Sequence, residues 1–175
     1  MQSLLAESSN AIVVDRDTIV PLRGALRESD AAAIETLVAE TGVFNRDEVA
    51  VAKSLVVESL ARASGEYQFL FADSANGIDG YICYGPIPGT DRRYELYWIA
   101  VSPRAGRRKL GLRLLRACED AVREAGGTHI FAETSTLESY APAHALYLAA
   151  GYALQANVPD YHADGDGMLI FARRL

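Results

Sequence analysis

Cysteine is scarce in this chain. Cys83 and Cys118 are the only two in 175 residues, and neither belongs to a CxxC pair or a metal-ligand spacing. A disulfide scaffold and a zinc ribbon are therefore excluded, and two reduced, buried thiols are expected. Long apolar runs are missing too: none approaches the roughly 20 residues that a membrane helix needs. The opening MQSLLAESSN has neither the basic region nor the apolar stretch of a secretory signal, so the expected compartment is the cytoplasm, with no membrane partner. Repeats, low-complexity tracts and long linkers are absent from the sequence, which excludes disordered and collagen-like chains.

What remains is half hydrophobic and 23% charged, the balance of one soluble domain. A chain of this length buries about two-thirds of its unfolded surface without staples. Residues 1–16 read as an N-terminal arm and 17–175 as a single domain. The net charge of −6 is unevenly spread. Residues 1–91 carry 6 basic and 14 acidic side chains, and residues 124–175 carry 2 and 6. Between them, residues 92–123 carry 9 basic and 3 acidic. A basic island inside an acidic protein points to one local anion site rather than a nucleic-acid surface.

Hydropathy and turn signals predict the order βααβββαβαββ. A strand is expected at 18–22, then a helix capped by Ser29 and Asp30 to about Glu40, broken at Thr41-Gly42. Asn45 and Glu48 form a capping box that opens a second helix to about Ala63. Strands are expected at 67–72 and 78–84 around Asn76-Gly77, and at 94–101. A helical stripe runs from Leu110 to Val122 and ends at Gly126-Gly127, followed by a strand at 129–134. A short helix at 142–149 stops at Gly151, and strands at 152–156 and 168–173 flank a polar loop at 159–167. The strand-loop-helix-strand unit at 94–134 implies parallel pairing and the hairpins antiparallel pairing, hence a mixed α/β sheet.

The segment from Val101 to Leu115 joins a strand to an amphipathic helix through a loop rich in glycine and arginine. Amides at a helix start form an anion site, and glycines admit close approach of a phosphate. Gly106-x4-Gly111 lacks the Lys-Ser/Thr of a Walker loop, and no GxGxxG occurs, so nucleotide-hydrolase and dinucleotide readings fall away. From local sequence alone, an anion site and a solvated surface loop stand level. The stretch from Asp160 to Gly167 begins like a calcium loop. Its twelfth position is Phe171, however, and no long helix precedes it, so no metal is expected.

The strand, V-x-P, loop and helix at 94–115 resemble those of the GNAT N-acetyltransferases. So does the run from Tyr140 to Tyr152, similar to that family's N-x-x-A-x-x-L-Y-x-x-x-G-F/Y motif with Tyr140 in the asparagine place. The resemblance implies a central twisted mixed sheet of six to seven strands flanked by about four helices. It implies acetyl-CoA as cosubstrate, bound by Ile99, Ala100 and Val101 on the strand and by Gly106, Arg107, Arg108, Lys109, Leu110, Gly111 and Leu112 at the loop and helix start. A backbone N–H near Ile99 is implied as oxyanion donor. Only Gly111 keeps the residue type of the family's phosphate loop, and Lys109 stands where the central glycine belongs. A requirement for φ > 0 there strains Lys109, while its charge and those of Arg107 and Arg108 favour phosphate.

Further roles follow from the resemblance. Glu95, or ordered water, is the implied base and Tyr147 the implied acid for transfer to a small-molecule or peptide amine. Glu133 and Tyr161 are implied on the acceptor side, where Thr134 and Ser135 also end a strand. His144 reads as an exposed helix histidine. A homodimer is compatible with the resemblance. A silent acyl-CoA-binding module, a transferase of another acyl chain and a protein-interaction domain share the same motifs.

Overall fold

The computed structural model describes residues 21–62, 65–105 and 109–175. Two helices come first, α1 (Asp30–Glu40) and α2 (Arg46–Ala61), followed by strands β1 (Gln68–Ser74), β2 (Gly77–Pro86) and β3 (Arg93–Val101). Helix α3 (Leu110–Glu124) leads to β4 (His129–Ser135), helix α4 (Ala141–Ala149) and a hairpin of β5 (Ala153–Ala163) and β6 (Asp166–Arg174). The six strands lie in the order β1-β2-β3-β4-β6-β5. Only the β3–β4 pair is parallel. The mixed sheet with helices on both faces is the expected one.

Three boundaries differ from expectation. Pro21 and Leu22 are not in a strand; the chain instead makes a single antiparallel bridge between Arg23 and Phe71 at the edge of β1. Residues 1–16 and 18–20 lie outside the described residues, as does Ala63. Ser29 makes no side-chain cap on α1. The carboxylate of Asp30 turns back and accepts from the Arg27 backbone N–H at 2.7 Å. The polar loop expected at 159–167 is mostly strand, closed by a tight turn in which Gly165 takes φ +81°. Every residue of β5 except Ala156 is exposed. An edge strand with no buried face has no alternation for a pattern search to find.

The sheet separates two cores. Ile34, Leu37, Val38, Ala52 and Val56 of α1 and α2 pack on Phe69, Phe71, Tyr81 and Cys83. Leu114, Leu115, Cys118 and Val122 of α3 pack on Ile82, Tyr84, Ile130 and Ala132 of the other face. Each large apolar side chain buried this way contributes about 2 kcal/mol. Cys83 and Cys118 are free and buried in these opposite cores. Burial pushes both thiols well above their ordinary range, which leaves them unreactive.

Where Ser29 fails to cap, Arg23 ties the chain down. Its guanidinium donates to Asp73 at 2.7 and 2.9 Å and to Asp30 at 2.9 and 3.0 Å, and lies 4.3 Å from the centre of the Phe71 ring. Hydrogen bonds from Arg23 hold the Asp73 carboxyl below the usual carboxylate range. A carboxylate depressed on folding stabilises the fold above its unfolded pKa, and that contribution is lost as pH falls through the folded value. The melting temperature is therefore expected to hold down to about pH 5 and to fall below it, less steeply in Asp73→Asn. Equal slopes for the two proteins in thermal melts across that range would show that this cluster does not carry the acid sensitivity.

Candidate active site

The opening in the molecule begins with a single extra residue. β2 and β3 stay in register until Cys83 faces Trp98 and Tyr84 faces Leu96, which leaves Tyr97 as a bulge. A bulge bends its strand and raises the local twist. Accordingly, β3 pairs with β4 only from Arg93–His129 to Leu96–Ala132 and then leaves it. The bulge also switches faces: Leu96 packs in the α3 core, whereas Trp98 and Ala100 pack on the α1–α2 side. Past Leu96, β3 has no strand partner on its β4 side among the described residues, so one row of main-chain groups borders the gap.

Two cavities meet in that gap. The first is an apolar groove of about 260 Å³. Its walls are Ile99, Ala100 and Val101 of β3, Gly111 at the start of α3, and Pro142, Ala143 and Leu146 of α4. Gly111 lets α3 lie close to this groove: a Cβ there would come 3.3 Å from Leu146 Cδ2 and 3.8 Å from Val101 Cγ2, so a larger side chain would fill the space. The first helical bond of α3 runs from Arg113 N to Lys109 O at 3.0 Å, so the amides of Leu110, Gly111 and Leu112 have no acceptor within the helix. Lys109 precedes them in the left-handed region at φ 52°, ψ 26°, where glycine is favoured. An extended chain ending in phosphates fits this groove: apolar walls, a free strand edge and a helix N-terminus follow one another.

The second cavity, of about 300 Å³, lies on the β4 side and is acidic. Glu48 of α2, Glu133 of β4 and Asp166 of β6 line it, with Phe44, Tyr97, Trp98 and Tyr140 as aromatic walls. No lysine or arginine is among its lining residues in the described part of the chain. Glu48 works twice. One carboxylate oxygen accepts from Asn45 N at 2.7 Å, completing the capping box, and the other accepts from the Tyr140 hydroxyl at 2.5 Å. Asp166 accepts from the Ser135 hydroxyl, also at 2.5 Å. Burial and the Glu48 carboxylate hold the Tyr140 phenol above its ordinary range, so it stays a donor. Trp98 Nε1 and Thr134 Oγ1 are buried without a hydrogen-bond partner among the described residues.

The residues singled out from sequence divide clearly. Ile99, Ala100, Val101 and Gly111 come together on the groove, while Leu110 is buried and Leu112 packs on the core behind it. Gly106, Arg107 and Arg108 lie outside the described residues. Tyr147 is 3% exposed yet lines the acidic cavity, with its ring 5.7 Å from Tyr152 and 5.5 Å from Phe171. Burial pushes its phenol up. Glu133 lines the same cavity. Glu95 lines neither cavity; it is half-buried, and burial followed by the nearby Glu133 charge raises its carboxyl. Tyr161 is 57% exposed and outside both cavities, whereas its neighbour His162 lines the acidic one. His144 is half-buried rather than exposed, and its ring N–H donates to the Ser135 carbonyl at 2.9 Å. Sequence reasoning treated Glu48 only as a helix cap and Tyr140 only as an off-pattern motif residue. Their 92-residue separation hides the bond between them.

The gap between β3 and β4 thus opens on both an apolar groove and an acidic chamber. The acetyltransferase (GNAT) family model matches residues 32–152. A GNAT-family protein of Desulfovibrio desulfuricans is 38% identical, with a TM-score of 0.83 over 88% of this chain and 98% of its own. The Salmonella typhimurium protein yncA, solved with its cofactor acetyl-CoA, is 20% identical, with a TM-score of 0.70 over 89% and 93% of the two chains. The aminoglycoside 6'-N-acetyltransferase of Enterococcus faecium is 18% identical, with a TM-score of 0.69 over 88% and 96%. No curated protein matches the chain in sequence. The chain belongs to the GNAT acetyltransferase family.

Proposed function

We propose that this protein transfers the acetyl group of acetyl-CoA to a primary amine by direct attack. The observation that carries the reading is the junction of the two cavities, which share Phe44, Ile99, Tyr140 and Ala143. A donor lying in the groove thus ends where an acceptor in the acidic chamber begins. Bound acetyl-CoA supplies an activated thioester carbonyl. The free edge of β3 from Ile99 to Val101 pairs with the pantetheine amides, and the amides of Leu110, Gly111 and Leu112 meet the pyrophosphate. Lys109 adds positive charge there; Arg107 and Arg108, to which the family resemblance gives the same role, lie outside the described residues.

The amine must be neutral to attack. Its lone pair forms the C–N bond, the C–S bond breaks, and the amine proton leaves to a base while the departing sulfur accepts a hydrogen bond or a proton. A backbone N–H near Ile99 stabilises the charge that develops on the carbonyl oxygen. Glu95, acting through water, is the base, since burial and Glu133 raise its carboxyl toward the working range. Tyr147 is the acid, a buried phenol that stays protonated at neutral pH.

The direct test is thiol release from acetyl-CoA over a panel of amines, together with the thermal shift on adding CoA. Stabilisation by CoA with amine-dependent thiol release is expected; no shift and no thiol would end the proposal. A base must be deprotonated, so kcat/KM is expected to fall as pH drops through the raised Glu95 pKa. Glu95→Gln is expected to flatten that acid limb. An unchanged profile assigns the proton to water alone.

A further inference from the structure

We propose that Glu119 and Arg173 are positioning residues for the reaction: together they fix the C-terminal cap of α4, and through it the place of Tyr147. This rests on the transfer reading above and on Tyr147 as its proton donor. Glu119 is 1% exposed, in the buried stripe of α3 with Leu115, Cys118 and Val122. Its two carboxylate oxygens accept from Nη1 of Arg173 on β6 at 2.9 and 3.1 Å. Arg116, one turn earlier on α3, donates to it at 2.8 Å. The same Nη1 of Arg173 also donates to the carbonyl of Ala150, the residue that caps α4. Three elements, α3, β6 and α4, thus meet at one guanidinium.

The cap is built around Tyr147. Gly151 takes φ +88°, its N–H donates to Leu148 O at 3.0 Å, and the Tyr152 N–H donates to Tyr147 O at 3.0 Å. These two bonds make a Schellman motif, in which the residues joined by the outer bond also touch through their side chains. Tyr147 and Tyr152 do so, with ring centres 5.7 Å apart. Arg173 holds the cap carbonyl of Ala150. Phe171, two residues earlier and so on the same face of β6, lies 5.5 Å from the Tyr147 ring. One strand therefore grips both the cap and the ring. A tie that served stability alone needs no charge, because apolar packing does as well as a buried ion pair or better. What a guanidinium adds is direction, since its planar N–H groups fix an acceptor in distance and angle. Direction matters here, because a displacement of about 1 Å at a catalytic group costs on the order of 100-fold in rate.

The test is a double-mutant cycle on kcat for thiol release, with the chemical step rate-limiting. Glu119→Gln combined with Arg173→Met removes both partners, so neither charge is left buried alone. This pair is expected to lower kcat about tenfold and to leave KM for acetyl-CoA within about twofold. Beside Tyr147→Phe, where no hydroxyl remains to be positioned, it is expected to lower kcat by less than about twofold. Should the paired variant not fold, Arg173→Lys, which keeps the charge but loses the planar fork, is read instead. Its kcat is expected to fall about threefold alone and not at all beside Tyr147→Phe. In the variant read, an unchanged kcat, equal losses in the two backgrounds, or a KM for acetyl-CoA that rises as far as kcat falls overturns the inference and leaves the transfer reading standing. No thiol from the wild-type protein with any amine ends both.

Discussion

Tyr147→Phe is expected to lower kcat about 100-fold, the lower end of the range for a lost proton donor, while leaving the melting temperature nearly unchanged. The ring carries the packing, and phenylalanine keeps it against Tyr152 and Phe171. Only the hydroxyl of a residue that lines the acidic cavity is removed. Burial holds that phenol above its ordinary range, whereas an ordinary thiol ionises near 8.5. Complete proton transfer from Tyr147 to the departing sulfur is therefore uphill. The hydroxyl acts as a hydrogen-bond donor that lowers the cost of expelling a thiolate. Steady-state kcat, with the chemical step shown to be rate-limiting, is the measurement. A value within about twofold of wild type would falsify the role.

Gly111→Leu is expected to weaken acetyl-CoA binding by at least about 100-fold, because the new side chain occupies the groove between Val101 and Leu146. The fold should tolerate it: a leucine in a helix is favoured over glycine by nearly 1 kcal/mol. Gly111→Ala provides the contrast. Its Cβ would sit 3.3 Å from the terminal Cδ2 of Leu146, a flexible side-chain end that can give way. The alanine variant should bind within a few-fold of wild type. Calorimetry with CoA on both variants separates blockage from unfolding, and intact binding by the leucine variant would place the donor elsewhere.

Local signals carried much of the fold to the page before any coordinates. The capping box of Asn45 and Glu48 opens α2 where the spacing puts it, and Gly126-Gly127 stops α3 within two residues of its observed end. The strand-loop-helix-strand unit between Arg93 and Ser135 is legible because its periodicities are clean. The bulge at Tyr97 is not legible: Tyr94 to Val101 is an unbroken β-forming run, and only the register against β2 exposes the extra residue. Nor is the acidic chamber. Its three carboxylates come from α2, β4 and β6, and each has a bland local reading as a cap, a strand end or a turn residue. The basic stretch pointed to an anion site at the start of α3, whereas the acidic chamber exists only once the chain is folded.

The outer strand β5 has a consequence of another kind. It is a long edge, exposed along nearly its whole length, with Leu154, Val158 and Tyr161 facing water. Such an edge invites pairing with foreign strands and hence aggregation. Pro159 removes a donor from it, and Asp160, at φ 53°, breaks the register between Val158 and Ala163. The interruption lies beside His162, which lines the acidic cavity. One irregular stretch thus interrupts an exposed edge and borders the acidic cavity, so changes made there to alter the cavity wall are expected to act on solubility as well.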